Sequence, residues 1–223
     1  MRNQLSTVVE KLNSKFHPVS IFLYGSRAKG DYQKHSDYEI GILFHDNEYV
    51  HRKDIQKHCP AKFNVFPFRL SEFLIFKSDI PFQEKIFFKE LRLTAQTLRG
   101  QDIRGIIREP AIATINLVEE VRFLMGRALS AITTFRDYDE KTAKHLFYKS
   151  CLFGFRALII HTQNKFPINY HSIYLLSKRA KILPAYKKLI SDAYKVRLGF
   201  KLKERDLYTN ISFLNYVLRR LKG

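Results

Sequence analysis

Apolar residues recur at three- and four-residue spacings at the start of the chain. Leu5, Val8, Leu12 and Phe16, with Val9 beside them, predict an amphipathic helix that Pro18 ends. The period then contracts. Residues 19–24 (VSIFLY) form a short apolar run rich in β-branched and aromatic side chains, which predicts a buried strand broken by Gly25-Ser26. Residues 38–44 (YEIGILF) predict a second strand and residues 62–68 (KFNVFPF) a third, with Pro67 setting the third at an edge or near its end. Residues 47–58 between them are polar and read as helical. Residues 71–77 and 82–98 read as two further helices, with Gly100 as a stop. From Arg108-Glu109-Pro110 onward the pattern is helix after helix, over 111–135, 139–163, 170–180, 184–198 and 207–221, punctuated by Asn169, Tyr170 and Pro184. There is no internal repeat and no low-complexity tract. The predicted organisation is an α+β domain over residues 1–105 and an all-α domain over residues 110–223.

Composition narrows the class. Of 223 residues, 45% are apolar and 27% charged, a globular balance that excludes disorder and fibre. No uncharged apolar stretch has the length of a membrane span. The opening MRNQLSTVVEKL also lacks the apolar core of a signal peptide, so the chain is expected to be soluble, cytoplasmic and without a membrane partner. Cys59 and Cys151 are too few for a disulfide framework and too isolated for structural zinc, and are expected to be buried thiols. His35, His45, His51 and His58 share no ligand spacing, so no zinc site is assigned.

Charge changes the picture more. The 39 Lys and Arg against 21 Asp and Glu give a formal net of +18, of which residues 1–108 carry +6 and residues 109–223 carry +12. Such a field attracts nucleic acid, nucleotides and other anions and repels polycations.

The window with chemistry in it is residues 23–44, LYGSRAKGDYQKHSDYEIGILF. Gly25-Ser26 directly follows a buried strand, where small residues let backbone N–H groups approach a phosphate and the serine hydroxyl adds a donor. Arg27 and Lys29 bring positive charge beside that turn, and Gly30 permits a backbone conformation that a Cβ would oppose. Asp37 and Glu39 stand two apart at the head of a strand, so both point to one face. Two same-face carboxylates near a phosphate turn suit Mg²⁺-assisted phosphoryl transfer. The Walker A spacing is absent.

GSRAKG followed after five residues by SDYE resembles the signature of the DNA-polymerase-β-like nucleotidyltransferases, GS-x-A-x-G and then S-D-x-[DE]. Residues 64–68 (NVFPF) fall where that superfamily places its third acidic strand. Pro81-Phe82 with the helix after them, and then residues 97–103 (TLRGQDI), resemble the end of the domain in its small bacterial members. The resemblance implies a nucleotidyltransferase-type mixed sheet with flanking helices, followed by an all-α helical bundle, as in aminoglycoside and minimal nucleotidyltransferases. It implies that Gly25 and Ser26 hold the β- and γ-phosphates of a nucleoside triphosphate, ATP first among them, with Arg27, Lys29 and Gly30 at the same turn. Asp37 and Glu39 would hold Mg²⁺, and a hydroxyl acceptor would receive a nucleoside monophosphate as pyrophosphate leaves.

Two departures bear on that expectation. Glu39 replaces the commoner Asp and reaches about one methylene farther, against the strict octahedral preference of Mg²⁺. Asn64 stands where the third carboxylate is expected. Its amide oxygen can ligate a metal, but it carries no charge and cannot act as a base. At an effective dielectric of about 20, one unit-charge contact at 4 Å is worth roughly 4 kcal/mol, so the loss bears on two-metal chemistry. Glu119 and Glu120 (NLVEEVRF) are the candidate replacement bases, against a plain reading of Glu119 as a surface partner of Arg122. Arg156 and His161 (RALIIH) echo an Arg/His ribonuclease pair. Five residues on a helix set them about 140° apart, however, so a buried or partner-bound His161 is expected instead.

Residues 178–205 hold ten Lys or Arg against Asp192 and Glu204, interleaved with Tyr186, Tyr194 and Phe200. This tract is either a solvated helix face or an anion-binding surface for RNA or an acidic acceptor. Three functional readings follow: a nucleotidyltransferase acting on RNA or a protein hydroxyl; an aminoglycoside nucleotidyltransferase, which the +12 domain disfavours; and a degenerate nucleotide or RNA binder, which Asn64 favours.

Overall fold

The computed structural model describes residues 2–34, 36–77 and 83–223; His35, Pro81 and Phe82 lie outside the described residues. The chain divides into two compact units, Met1–Ala111 and Ile112–Gly223.

In the first unit α1 (Arg2–Phe16) leads to β1 (Ser20–Tyr24), a single helical turn α2 (Gly25–Ala28) and β2 (Tyr38–Phe44). A 3₁₀ turn (Asp46–Glu48) and α3 (Arg52–Gln56) cross to β3 (Phe63–Arg69). There follow α4 (Leu70–Ile75), α5 (Glu84–Thr94), β4 (Gln96–Gly100) and α6 (Ile103–Ile106). The sheet order is β3-β2-β1-β4. β1 runs antiparallel to β2 and to β4, while β2 and β3 are parallel. β3 is therefore an edge strand, which is why Pro67 is tolerated in it.

Alternation divides the strand residues between two layers. Phe22, Tyr24, Leu43 and Phe68 pack with Phe73 of α4 and Phe87, Phe88 and Leu91 of α5. Ile21, Leu23, Ile40, Ile42, Phe44, Phe63 and Val65 pack with Val8, Val9 and Leu12 of α1 and Ile55 of α3. Each such side chain, fully buried, contributes about 1.5–3 kcal/mol of transfer free energy.

The expected helix over 82–98 ends at Thr94, and β4 takes over. That strand is short and lies at an edge. Only Leu98 of it joins a core, so its sequence carries no alternation to read. The polar stretch 47–58 condenses to the 3₁₀ turn and the five-residue α3.

The second unit is helical: α7 (Leu117–Arg136), α8 (Glu140–Gln163), α9 (Tyr170–Ser177), α10 (Pro184–Arg197) and α11 (Glu204–Leu221). Polar caps start three of them. Asn116, Asp139 and Asn169 accept from the backbone N–H of Glu119, Thr142 and Ser172, and Pro184 occupies the first turn of α10. The middle of α8 is buried on nearly every side, with Phe155 stacked on Phe213 at 4.0 Å. Asn210 donates to the Ser150 hydroxyl at 2.9 Å inside this core.

Cys151 is fully buried and Cys59 half-buried, and burial raises both thiol pKa values above the ordinary range. His161, expected to be buried or bound, is instead exposed in the last turn of α8, whereas Arg156 is buried. Among the described residues no helix is long and apolar enough to cross a membrane.

Candidate functional site

The site grows from one end of β1 and β2. Tyr24 is the last residue of β1 and pairs with Glu39, which in turn pairs with Asn64 on β3. Directly opposed residues share a face, so Tyr24, Glu39 and Asn64 project together. Asp37 stands two positions before Glu39 and on the same side. The Asn64 carboxamide donates from Nδ2 to Asp37 Oδ2 at 3.0 Å, which ties the two across the strands.

Gly25 follows with φ +71°, where the chain leaves the strand and enters α2. A Cβ at this position would lie 1.6 Å from Glu39 Oε2. The missing side chain is the space in which the Glu39 carboxylate rests, and the Ser26 backbone N–H donates to that same oxygen at 3.4 Å. Tyr24 beneath is buried. Its phenol is held well above its ordinary pKa by burial first and then by the negative charge of Glu39, with Arg52 opposing.

The donor set is two carboxylates and one carboxamide on one face, with a cradle that a Cβ would fill. This suits a single Mg²⁺ completed by phosphate oxygens and water, the usual way Mg²⁺ is bound beside a nucleotide. Among the described residues no group of three or more His, Cys, Asp or Glu side chains is placed to hold a metal.

The other sequence-predicted residues separate. Gly30 has φ +75° and closes the turn. Lys29 does not stand free beside the phosphate turn: its ammonium pairs with Glu90 of α5 at 2.9 Å, with the two side chains only 8% and 20% exposed. It anchors α2 to α5. Removing one partner of such a shielded pair leaves an uncompensated charge, so Lys29→Met is expected to cost about 3 kcal/mol in urea denaturation. The double variant Lys29→Met, Glu90→Gln should recover most of that loss. Arg27 donates to main-chain carbonyls and not toward the cradle.

Glu119 and Glu120 lie in the first turn of α7, in the second unit. Glu119 is exposed. Glu120 is 2% exposed, and its Oε1 takes a hydrogen bond from Arg156 at 3.3 Å. The Glu120 carboxylate is thus buried against the Arg156 guanidinium inside the helical core.

Sequence reading missed Glu90 and Arg52. Arg52 wraps the open edge of β3, donating from Nε to the Val65 carbonyl at 3.0 Å, and its guanidinium lies 4.3 Å from the centre of the Phe66 ring. Neither residue belongs to a local motif. Each is brought in by tertiary packing.

Residues 5–94, about two fifths of the chain, match the family described as a nucleotidyltransferase domain. Spectinomycin adenyltransferase AAD(9) from Enterococcus faecialis, crystallised with ATP and spectinomycin, is similar in structure. It has a TM-score of 0.60 and 14% identity over 100% of both chains, a likeness of fold. A nucleotidyltransferase-like protein from Exiguobacterium sibiricum 255-15 matches with a TM-score of 0.34 and 9% identity, over 97% of this chain and 75% of the other. A toxin-antitoxin crystallised with AMP-PNP matches with a TM-score of 0.32 and 21% identity, over 44% of this chain and 74% of the other. Both of these scores are too low to carry an argument. No curated protein sequence matches the chain.

Proposed function

We propose that the chain, whose residues 5–94 match a nucleotidyltransferase domain, is a DNA-polymerase-β-like nucleotidyltransferase that binds a nucleoside triphosphate at Gly25, Ser26, Asp37 and Glu39 and transfers its nucleoside monophosphate to a hydroxyl acceptor. The observation that carries the reading is the Glu39 carboxylate resting in the space that Gly25 leaves open beside the Ser26 N–H. Mg²⁺ held by Asp37 and Glu39, with the Asn64 amide oxygen as a candidate third ligand, would neutralise the triphosphate and make pyrophosphate a better leaving group. The chain's own part is positional. Gly25 lets the backbone approach a phosphate, and the Ser26 N–H and hydroxyl offer donors to its oxygens. Asn64 holds Asp37 in place through its amide but has no basic oxygen for the acceptor's proton.

That last point favours a second reading, a nucleotide-binding protein with weak or absent transfer. Incubation with each labelled triphosphate and Mg²⁺, in the presence of total RNA or total protein, separates the two. The first reading expects pyrophosphate release and label in a macromolecule. Triphosphate binding without release selects the second.

For the acceptor, charge supports an anionic molecule, RNA first, on residues 178–205. It weighs against an aminoglycoside despite the likeness of fold to a spectinomycin adenyltransferase. The structure alters the details of that surface. Tyr194 is stacked on Tyr174 at 4.7 Å and Tyr186 packs on Phe213 and Tyr216, which leaves Phe200, 61% exposed, as the open aromatic. Arg197 is buried and lies over the Tyr170 ring at 4.7 Å. Among the exposed cations are Lys181, Lys187, Lys188 and Lys195. Replacing these four with Gln is expected to flatten the slope of log affinity against log salt for single-stranded RNA by roughly two to three units. An unchanged slope would make the tract a solvated face.

A further inference from the structure

We propose that Arg27 is a positioning residue that fixes Asp37 from the opposite side of the sheet, and that it is not a phosphate ligand. The inference rests on the nucleotide-binding reading above and deepens it. Arg27 Nε donates to the Ser36 carbonyl at 3.1 Å and to the Asp37 carbonyl at 3.2 Å, and Nη2 donates to the Ser36 carbonyl at 2.6 Å. The Nε and Nη2 edge of the guanidinium is therefore turned to the carbonyl of the Ser36–Asp37 peptide link and to the carbonyl that follows it. Its carbon lies 3.9 Å from the centre of the Tyr38 ring and 5.0 Å from that of Tyr32. Tyr38 in turn stacks on Phe63 at 4.7 Å and 13°.

The direction of Tyr38 decides the role. It sits between Asp37 and Glu39, so strand alternation turns its ring away from the face that carries the carboxylates and Asn64. Tyr38 and Phe63 belong with the α1-side layer, as does Ala28, the neighbour of Arg27 in α2. A guanidinium stacked on Tyr38 lies on that side.

What Arg27 grips needs gripping. Residues 31–34, 36 and 37 carry no helix or strand before β2, apart from a local turn in which Gln33 and Ser36 bond each other. Asp37 is exposed at its end, and the Asn64 amide is the contact on its carboxylate side. Without the clamp, the peptide before Asp37 is free to rotate, and a carboxylate that must meet a metal of strict geometry loses its aim. Lys cannot substitute, because a single ammonium neither bridges two carbonyls in a plane nor stacks on the ring as a flat fork does.

Two measurements on Arg27→Gln and Arg27→Lys test this, with a thermal melt to show that each folds. In the ligand-free protein, amide exchange at Ser36 and Tyr38, whose N–H groups bond the Gln33 and Lys62 carbonyls, should rise at least roughly tenfold in both variants relative to the parent. Calorimetry with ATP should then show unchanged affinity without Mg²⁺, and at least a tenfold loss of the added affinity that Mg²⁺ gives the parent. Unchanged exchange overturns the proposal, as does a loss of affinity already present without Mg²⁺, which is the signature of a phosphate ligand. Rescue by Arg27→Lys also overturns it. If the parent itself gains nothing from Mg²⁺, the functional reading fails and the exchange result alone decides the clamp. Should Arg27→Gln fail to fold, Arg27→Lys, which keeps the charge, carries both measurements.

Discussion

Gly25→Ala is expected to weaken the binding of Mg²⁺-triphosphate on the order of 100-fold while leaving a folded chain. Two effects act together at this residue. Its φ of +71° costs an alanine about 1–2 kcal/mol in backbone strain. The new Cβ would also occupy the place of Glu39 Oε2, 1.6 Å away, so the carboxylate must leave its seat beside the Ser26 N–H. The side chain displaced is the one the site needs for the metal, and the expected loss of affinity for Mg²⁺-ATP is on the order of 100-fold, about 2.7 kcal/mol. Gly30→Ala is the internal comparison. Its φ of +75° imposes the same kind of strain, but no atom lies within 4 Å of the new Cβ. That variant should lose a similar amount of stability in a thermal melt and far less affinity. Equal losses of affinity would mean that turn conformation, and not the Glu39 seat, is what matters at Gly25.

Asn64→Asp is expected to move the protein in the other direction. The amide now donates to Asp37 at 3.0 Å, and an aspartate there would set two carboxylates against each other across β2 and β3. Like charges at that distance destabilise the free protein and create a stronger seat for a divalent cation. The variant should therefore melt below the parent without metal and gain more from Mg²⁺ than the parent does. If the rest of the geometry is competent, the added carboxylate also supplies an oxygen able to take the acceptor proton. A general base of this kind is worth about 10²–10⁴-fold. Pyrophosphate release should then rise at least tenfold. A fall would show that the amide is suited to this site as it stands.

The parts legible in the sequence were those written in local pattern. The five residues of β1, the whole of β2 and the five helices of the second unit follow from periodicity and caps. The α9 and α11 limits shifted by a few residues, as helix ends do. β4 was not legible. Gln96–Gly100 is held by pairing with β1, and its one core residue, Leu98, gives no period. At the candidate site, sequence spacing sets Gly25 beside Ser26 and puts Asp37 and Glu39 on one face, and the pairing of β1 with β2 brings Glu39 to Gly25. Lys29 and Arg27 were readable as charges but not by role, since their partners, Glu90 and the Ser36 and Asp37 carbonyls, are set by folding. Glu120 looked available from its place in NLVEEVRF. Only the pairing of α7 with α8 shows it facing Arg156.

Calorimetry of ATP binding, with and without Mg²⁺, on the parent and on Asp37→Asn, Glu39→Gln tests the central claim most directly. These substitutions remove both charges with little change of shape, so the fold should survive and a melt can confirm it. Mg²⁺ is expected to strengthen ATP binding to the parent and to have no such effect on the double variant. Affinity in Mg²⁺ that is the same for both proteins would place the nucleotide elsewhere and contradict the account.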